Sequence, residues 1–215
     1  MAKPDALADS MKWKITVILF NNDVVARLDW AEIAAELDQD GYAILSGLLH
    51  GARVLPEPLG ALPAALYEPL STIANRWNQS LGLKERFPDG SNAFQEQSRK
   101  AGLPGPRSYM SRLRERDYQA LQQRNDGAWR FPLQLVALLS EPGVDFTGGE
   151  FVMTEQRPRM QSRPMVLPLQ RGDAAIIAVA RRPIMGRKGY YRVNNKHAIS
   201  RVHSGERIGL ELYFD

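Results

Sequence analysis

Three histidines, His50, His197 and His203, and no cysteine make up the stock of soft or borderline metal-binding side chains in this 215-residue chain. Thiolate metal sites, cysteine nucleophiles and a disulfide framework are therefore excluded. Arginine is the other residue type whose placement suggests chemistry. It clusters at Arg112 to Arg116, Arg157 to Arg163 and Arg181 to Lys188, and a guanidinium's planar fork makes two parallel hydrogen bonds to a phosphate or carboxylate. Arg157, Arg159 and Arg163 are candidate anion contacts, although the same stretch, with Pro158 and Pro164, also reads as a stiffened connection between strands. The 28 Lys and Arg against 24 Asp and Glu leave a net charge of +4. A small anionic ligand or nucleic acid is the partner class such a balance favours, and a solvated basic face is the competing reading.

Other chemistries find little support. The chain has no G-x-S-x-G elbow, no P-loop and no dinucleotide fingerprint, and carboxylate pairs such as Glu150 and Glu155 are unspecific at this length. The longest apolar run, Ile15 to Phe20, is far short of a membrane span, and Asp5 and Asp9 precede it where an export signal carries positive charge. A cytoplasmic protein with no membrane partner is expected.

The elements that must position these residues are mostly strands. From Phe131 to Asp215 short apolar runs alternate with Pro-Gly, Gly-Gly, Arg-Gly-Asp and Ser-Gly turns, the pattern of a sandwich or barrel. In the last run Ile208, Leu210, Leu212 and Phe214 share a core face, and Arg207, Gly209, Glu211 and Tyr213 share a cavity face. Before this region, residues 29–105 read as helical support. Asp29 caps a helix with a Trp30, Ile33, Ala34 and Leu37 stripe ended by Gly41. A second helix covers roughly Leu62 to Leu81, and Ser91 caps a third that runs to about Lys100. Tyr42 to Leu45 with Leu48-Leu49 forms a strand between the first two. Residues 1–28 form a polar tail and a hairpin that returns through Val24 to Leu28, and a core from 106 to 215 completes one domain.

The run DFTGGEFVMTEQRPRMQSR (Asp145 to Arg163), with FPLQ before it and LQRGDAAIIAV after it, resembles the prokaryotic 2-oxoglutarate/Fe(II) oxygenases predicted to modify nucleic acids. The likeness extends to IANRWNQSLGL (Ile73 to Leu83), to Leu28 to Leu49 and to YRVNNKHAISRVHSGERIGL (Tyr191 to Leu210), which is most of the chain. It implies a mainly β fold of the α+β type, a double-stranded β-helix (jelly roll) braced by two or three N-terminal helices. It also implies hydroxylation or demethylation with ferrous iron and 2-oxoglutarate as cofactors.

Such iron is held by two histidines and one carboxylate. The family supplies the first two ligands as His-x-Asp just before the FPLQ strand. Here that run is DYQALQQRNDGAWRFPLQ, in which Gln122 and Arg124 occupy the ligand positions. The resemblance leaves His197 as the residual metal ligand and Arg207, ten residues on, as the partner of the far carboxylate of 2-oxoglutarate. It thus implies a co-substrate clamp with doubtful iron, hence either a binding module or an enzyme that does not use the ancestral iron. The other possibility is an active dioxygenase with a substitute ligand such as Asp126. His197 as a polar pocket-wall residue, and Arg207 as the partner of Glu211, are the structural readings of the same side chains. The family also carries a longer segment between the first strand and the long helix, where this chain has only His50 to Ala61, so the cover over the pocket is expected to differ.

Overall fold

The computed structural model describes residues 22–50, 62–102, 108–124 and 130–214. Four helices, α1 (Asn22–Ala26), α2 (Trp30–Gln39), α3 (Leu62–Ser80) and α4 (Ser91–Lys100), lie in its N-terminal half, with β1 (Tyr42–Leu45) between α2 and α3. Ten strands follow: β2 (Tyr109–Arg114), β3 (Gln119–Gln122), β4 (Leu133–Leu138), β5 (Phe146–Gly148), β6 (Phe151–Gln156), β7 (Arg163–Leu167), β8 (Ala174–Ala178), β9 (Arg181–Gly186), β10 (Gly189–Ile199) and β11 (Val202–Leu212).

The strands form two antiparallel sheets. One has the order β1-β8-β4-β11-β2, with β5 also on β11; the other has the order β3-β10-β6-β7, with β9 also on β10. Why β4 and β8 read as unbroken apolar runs follows from this order. Both are central, so both of their faces are covered. Leu133, Leu135, Ala174 and Ile176 join a core shared with the helices, which includes Leu66, Leu70 and Trp77 of α3. Val136, Leu138, Ala175 and Ile177 turn the other way and meet Phe151, Met153 and Ile199 of the second sheet. An aromatic group of Tyr67, Phe87, Phe94 and Phe131, with ring centroids 5.1 to 5.7 Å apart, seals the helical side. Fully buried aromatics of this kind dominate core energetics.

The mainly β jelly roll braced by helices is the observed architecture, and several local expectations hold. Asp29 accepts from the N–H groups of Ala31 and Glu32, both at 3.0 Å, a contact whose removal typically costs about 1 kcal/mol. Ile33 and Leu37 are the buried stripe of α2. β11 alternates as read, since Leu210, Leu212 and Phe214 sit in the helix-side core.

Other expectations are corrected. Val24 to Leu28 is not a returning strand: Asn22–Ala26 is helical, Val25 packs into the helix-side core and its carbonyl accepts from Trp30 Nε1 at 3.2 Å. The outgoing half of that hairpin lies outside the described residues. Ser91 is the first residue of α4 rather than its cap. Gly90 takes the cap position with the extended backbone it requires, φ −104° and ψ 139°. Leu48 and Leu49 belong to a turn after β1, fixed by the Leu49 N–H to the Gly172 carbonyl at 2.8 Å. β11 starts at Val202, because Ser204-Gly205 continues the strand against Thr147 and Phe146 of β5 through a register shift instead of turning.

Candidate binding site between the two sheets

Antiparallel pairing of β3 with β10 sets Gln122 directly opposite His197. His197 is fully buried, its ring stacks on Phe151 at 5.9 Å and 7°, and its Nε2 lies 3.3 Å from Gln122 Nε2. An amide nitrogen can only donate, so in this arrangement the imidazole accepts at Nε2 and carries its proton on Nδ1. Nδ1 itself is buried without a hydrogen-bond partner. Burial holds the His197 pKa below its ordinary value, Arg124 pushes the same way, and Glu211 opposes both.

Glu211 comes from the cavity face of β11. Its Oε2 accepts from Gln134 Nε2 at 3.1 Å and from the Tyr213 hydroxyl, while Oε1 is buried and unpartnered. The Arg124 guanidinium carbon lies 3.8 Å from the centre of the Tyr213 ring, a cation held by the negative face of an aromatic. Tyr213 is pushed well above the ordinary tyrosine range, first by burial and then by Glu211, so it stays a donor to the carboxylate.

Arg207, four residues before Glu211 on the same strand face, is 3% exposed. Its Nε donates to the Gly149 carbonyl at 2.8 Å. Among the described residues it forms no ion pair, so the pairing with Glu211 is not realised, although Glu211 favours its charge from a distance. Burial lowers its pKa to about 10, which leaves it a cation near neutral pH. It lines a cavity of about 310 Å³ whose walls include Leu138, Phe146, Phe151, Leu167 and Leu169. Two glycines make the space the side chain uses. A Cβ on Gly149 would stand 3.0 Å from Arg207 Cδ, and one on Gly209 would stand 2.7 Å from Arg207 Nη1. Gly148 and Gly149, both at positive φ, turn the chain from β5 into β6 as the Gly-Gly pair suggests.

The two histidines and one carboxylate of such an iron centre are not brought together among the described residues. Beside His197 stand an amide and a guanidinium, and no group of three or more His, Asp or Glu able to hold a metal occurs among the described residues. Asp126, the candidate substitute ligand, lies outside them.

The family model of an oxygenase catalysing oxidative methylation of damaged DNA matches residues 49–215. The chain belongs to this oxygenase family. Two uncharacterized proteins of Mycobacterium tuberculosis, from strains CDC 1551 and H37Rv, are each 34% identical over 177 residues, which is 80% of this chain and 76% of theirs. Among solved structures, one of prolyl 4-hydroxylases from Phytophthora capsici has a TM-score of 0.51 at 15% identity and covers 90% of this chain and 64% of that one. A prolyl-4-hydroxylase of Pseudomonas putida has a TM-score of 0.42 at 15% identity, over 86% of this chain and 93% of that one. The Phytophthora capsici structure supports the double-stranded β-helix fold.

The arginines of the run EQRPRMQSR are placed apart from the inter-sheet pocket. Arg157 Nε pairs with Glu155 at 2.7 Å, Arg163 pairs with Asp40 at 3.3 Å, and Arg159 sits in the β6–β7 connection at φ 63°. Glu155 has a second partner, Arg182, which is fully buried. Arg182 also donates to the carbonyls of Asp38 and Gln39 at 2.5 and 3.0 Å, tying the end of α2 to both β6 and β9. Sequence reading placed Glu211 and Tyr213 on the cavity face but missed the hydrogen bonds of Gln134 and Tyr213 to Glu211 and the Arg182–Glu155 pair. His203 is exposed on β11 and His50 is exposed after β1, so neither joins His197. No helix among the described residues is long and apolar enough to cross a membrane.

Proposed function

We propose that this oxygenase-family chain is a metal-independent binding module whose inter-sheet pocket takes a small anionic ligand on Arg207. Gln122 facing His197 carries the reading, because an amide replaces a ligating histidine and Arg124 follows where the carboxylate belongs. A guanidinium next to a divalent cation turns attraction into repulsion, a change of several kcal/mol at about 4 Å and an effective dielectric near 20. Arg207 supports the second half of the proposal. A buried cation with no ion-pair partner among the described residues, in a largely apolar cavity whose one lining carboxylate, Glu150, is engaged by the Ser200 hydroxyl, suits a carboxylate such as one end of 2-oxoglutarate. The family's description supports nucleic acid as the larger partner, and the absence of cysteine suits a reducing compartment such as the cytoplasm.

Calorimetry of metal-free protein tests this directly. 2-Oxoglutarate binds in the presence of a chelator, and Arg207→Met removes the binding. Anaerobic Fe(II) with 2-oxoglutarate then gives no visible charge-transfer band. A band that disappears in His197→Ala, or 2-oxoglutarate binding that requires the metal, overturns the proposal in favour of an active dioxygenase.

A further inference from the structure

A second concavity, about 240 Å³, lies where the end of α3 and the following loop meet the β9–β10 hairpin. Arg124, Arg130, Arg181 and Arg192 line it, and Glu85 is the single carboxylate among its lining residues. The hairpin register explains how two of these cations converge. Arg181 opposes Asn194, and Arg192 is two residues from Asn194 on the same face. Such diagonal neighbours stand roughly 7 to 8 Å apart. Both are exposed, and neither has an ion-pair partner among the described residues.

Three properties together name the ligand chemistry. All four cations are arginines, whose forks match phosphate oxygens better than a lysine's point charge does. The hollow is smaller than the roughly 300 to 1,000 Å³ that encloses a whole small molecule, so it takes part of a larger ligand. Arg124 lines the groove and also lies on Tyr213 of the inter-sheet cluster, so the groove adjoins that cluster. We infer that this groove is a phosphate-binding track beside the barrel, separate from Arg207, and that it holds the backbone of a single-stranded nucleic acid.

The track stands whether or not the barrel binds a carboxylate, and the experiment keeps the two apart. Fluorescence anisotropy with a labelled oligo-dT strand, titrated at several salt concentrations, gives the wild-type affinity. Arg181→Ser with Arg192→Ser weakens it at least tenfold. The same change makes the log-log salt dependence shallower by about 1.4, which is about 0.7 per phosphate contact on a single strand. Lysine at both positions restores part of the loss. Thermal midpoint and 2-oxoglutarate binding stay at wild-type values in the serine variant, and Arg207→Met keeps oligonucleotide binding. Competition by thymidine monophosphate at concentrations matched to the strand's phosphates would support the same track with free nucleotide as its source. Oligonucleotide affinity unchanged by the double serine substitution, or no binding of either probe at low salt, overturns the inference.

Discussion

Gln122 and His197 face each other across β3 and β10 with their nitrogens 3.3 Å apart. On the reading proposed above, a second imidazole belongs at position 122, opposite His197, and a carboxylate at position 124, just past the end of β3. If that reading holds, Gln122→His combined with Arg124→Asp should create a ferrous site that the wild-type chain lacks. We expect Fe(II) affinity at least a hundredfold above wild type, together with a charge-transfer band on adding 2-oxoglutarate. Gln122→His alone should gain little, since the cation at 124 persists. Anaerobic absorbance titration checks both variants.

His197 also sets a pH dependence. Its pKa in the folded chain lies below the ordinary value, through burial first, with Arg124 adding to that and Glu211 opposing. In the window between the depressed folded value and the unfolded value near 6.5, the unfolded chain binds the extra proton. Stability contributed by neutral His197 is thus fully present above about pH 6.5 and falls on acidification, by up to about 1.4 kcal/mol per pH unit. Urea denaturation at a series of pH values should show this slope in the wild type and a reduced slope in His197→Gln.

The elements that can be read without their partners were legible: the alternation of β11, the capped α2, the Gly-Gly turn before β6. So was the jelly roll, through the long signature around Phe151. Elements defined by a distant partner were not. Arg182 meets Glu155 from 27 positions away and the end of α2 from 143 and 144 positions away, so neither periodicity nor spacing announces it. Gln134 and Glu211 meet across 77 positions for the same reason. Val24 and Val25 suggested a strand by β-propensity, and packing of Val25 into the helix-side core overrode it. Ser204-Gly205 has turn chemistry, yet pairing with β5 absorbs it as an irregularity inside a strand.

Glu155 is the anion that keeps Arg182 tolerable in the interior. Both are nearly or fully buried, and burial already pulls the Arg182 pKa down against the support of Glu155. Removing the carboxylate alone leaves an uncompensated buried cation, so Glu155→Ala should lower stability by about 3 to 5 kcal/mol. Replacing the pair together, Glu155→Leu with Arg182→Met, should recover most of that loss, because apolar residues of similar volume often substitute for a buried pair at little cost. Chemical denaturation of the two variants separates the charge effect from packing.

Gly41 and Gly82 each follow a helix at positive φ, +79° and +68°, yet their surroundings differ. A Cβ at Gly82 meets nothing within 4 Å, whereas one at Gly41 would stand 2.7 Å from Arg182 Nε and 2.9 Å from Asn195 Nδ2. Gly82→Ala should then cost only the left-handed backbone penalty, about 1 to 2 kcal/mol. Gly41→Ala adds displacement of the fully buried Arg182 from the two α2 carbonyls and Glu155, and should cost about 3 kcal/mol or more. Denaturation midpoints measured side by side test the difference. Equal losses at the two glycines would mean that Arg182 moves aside freely and does not anchor α2 to the sheets.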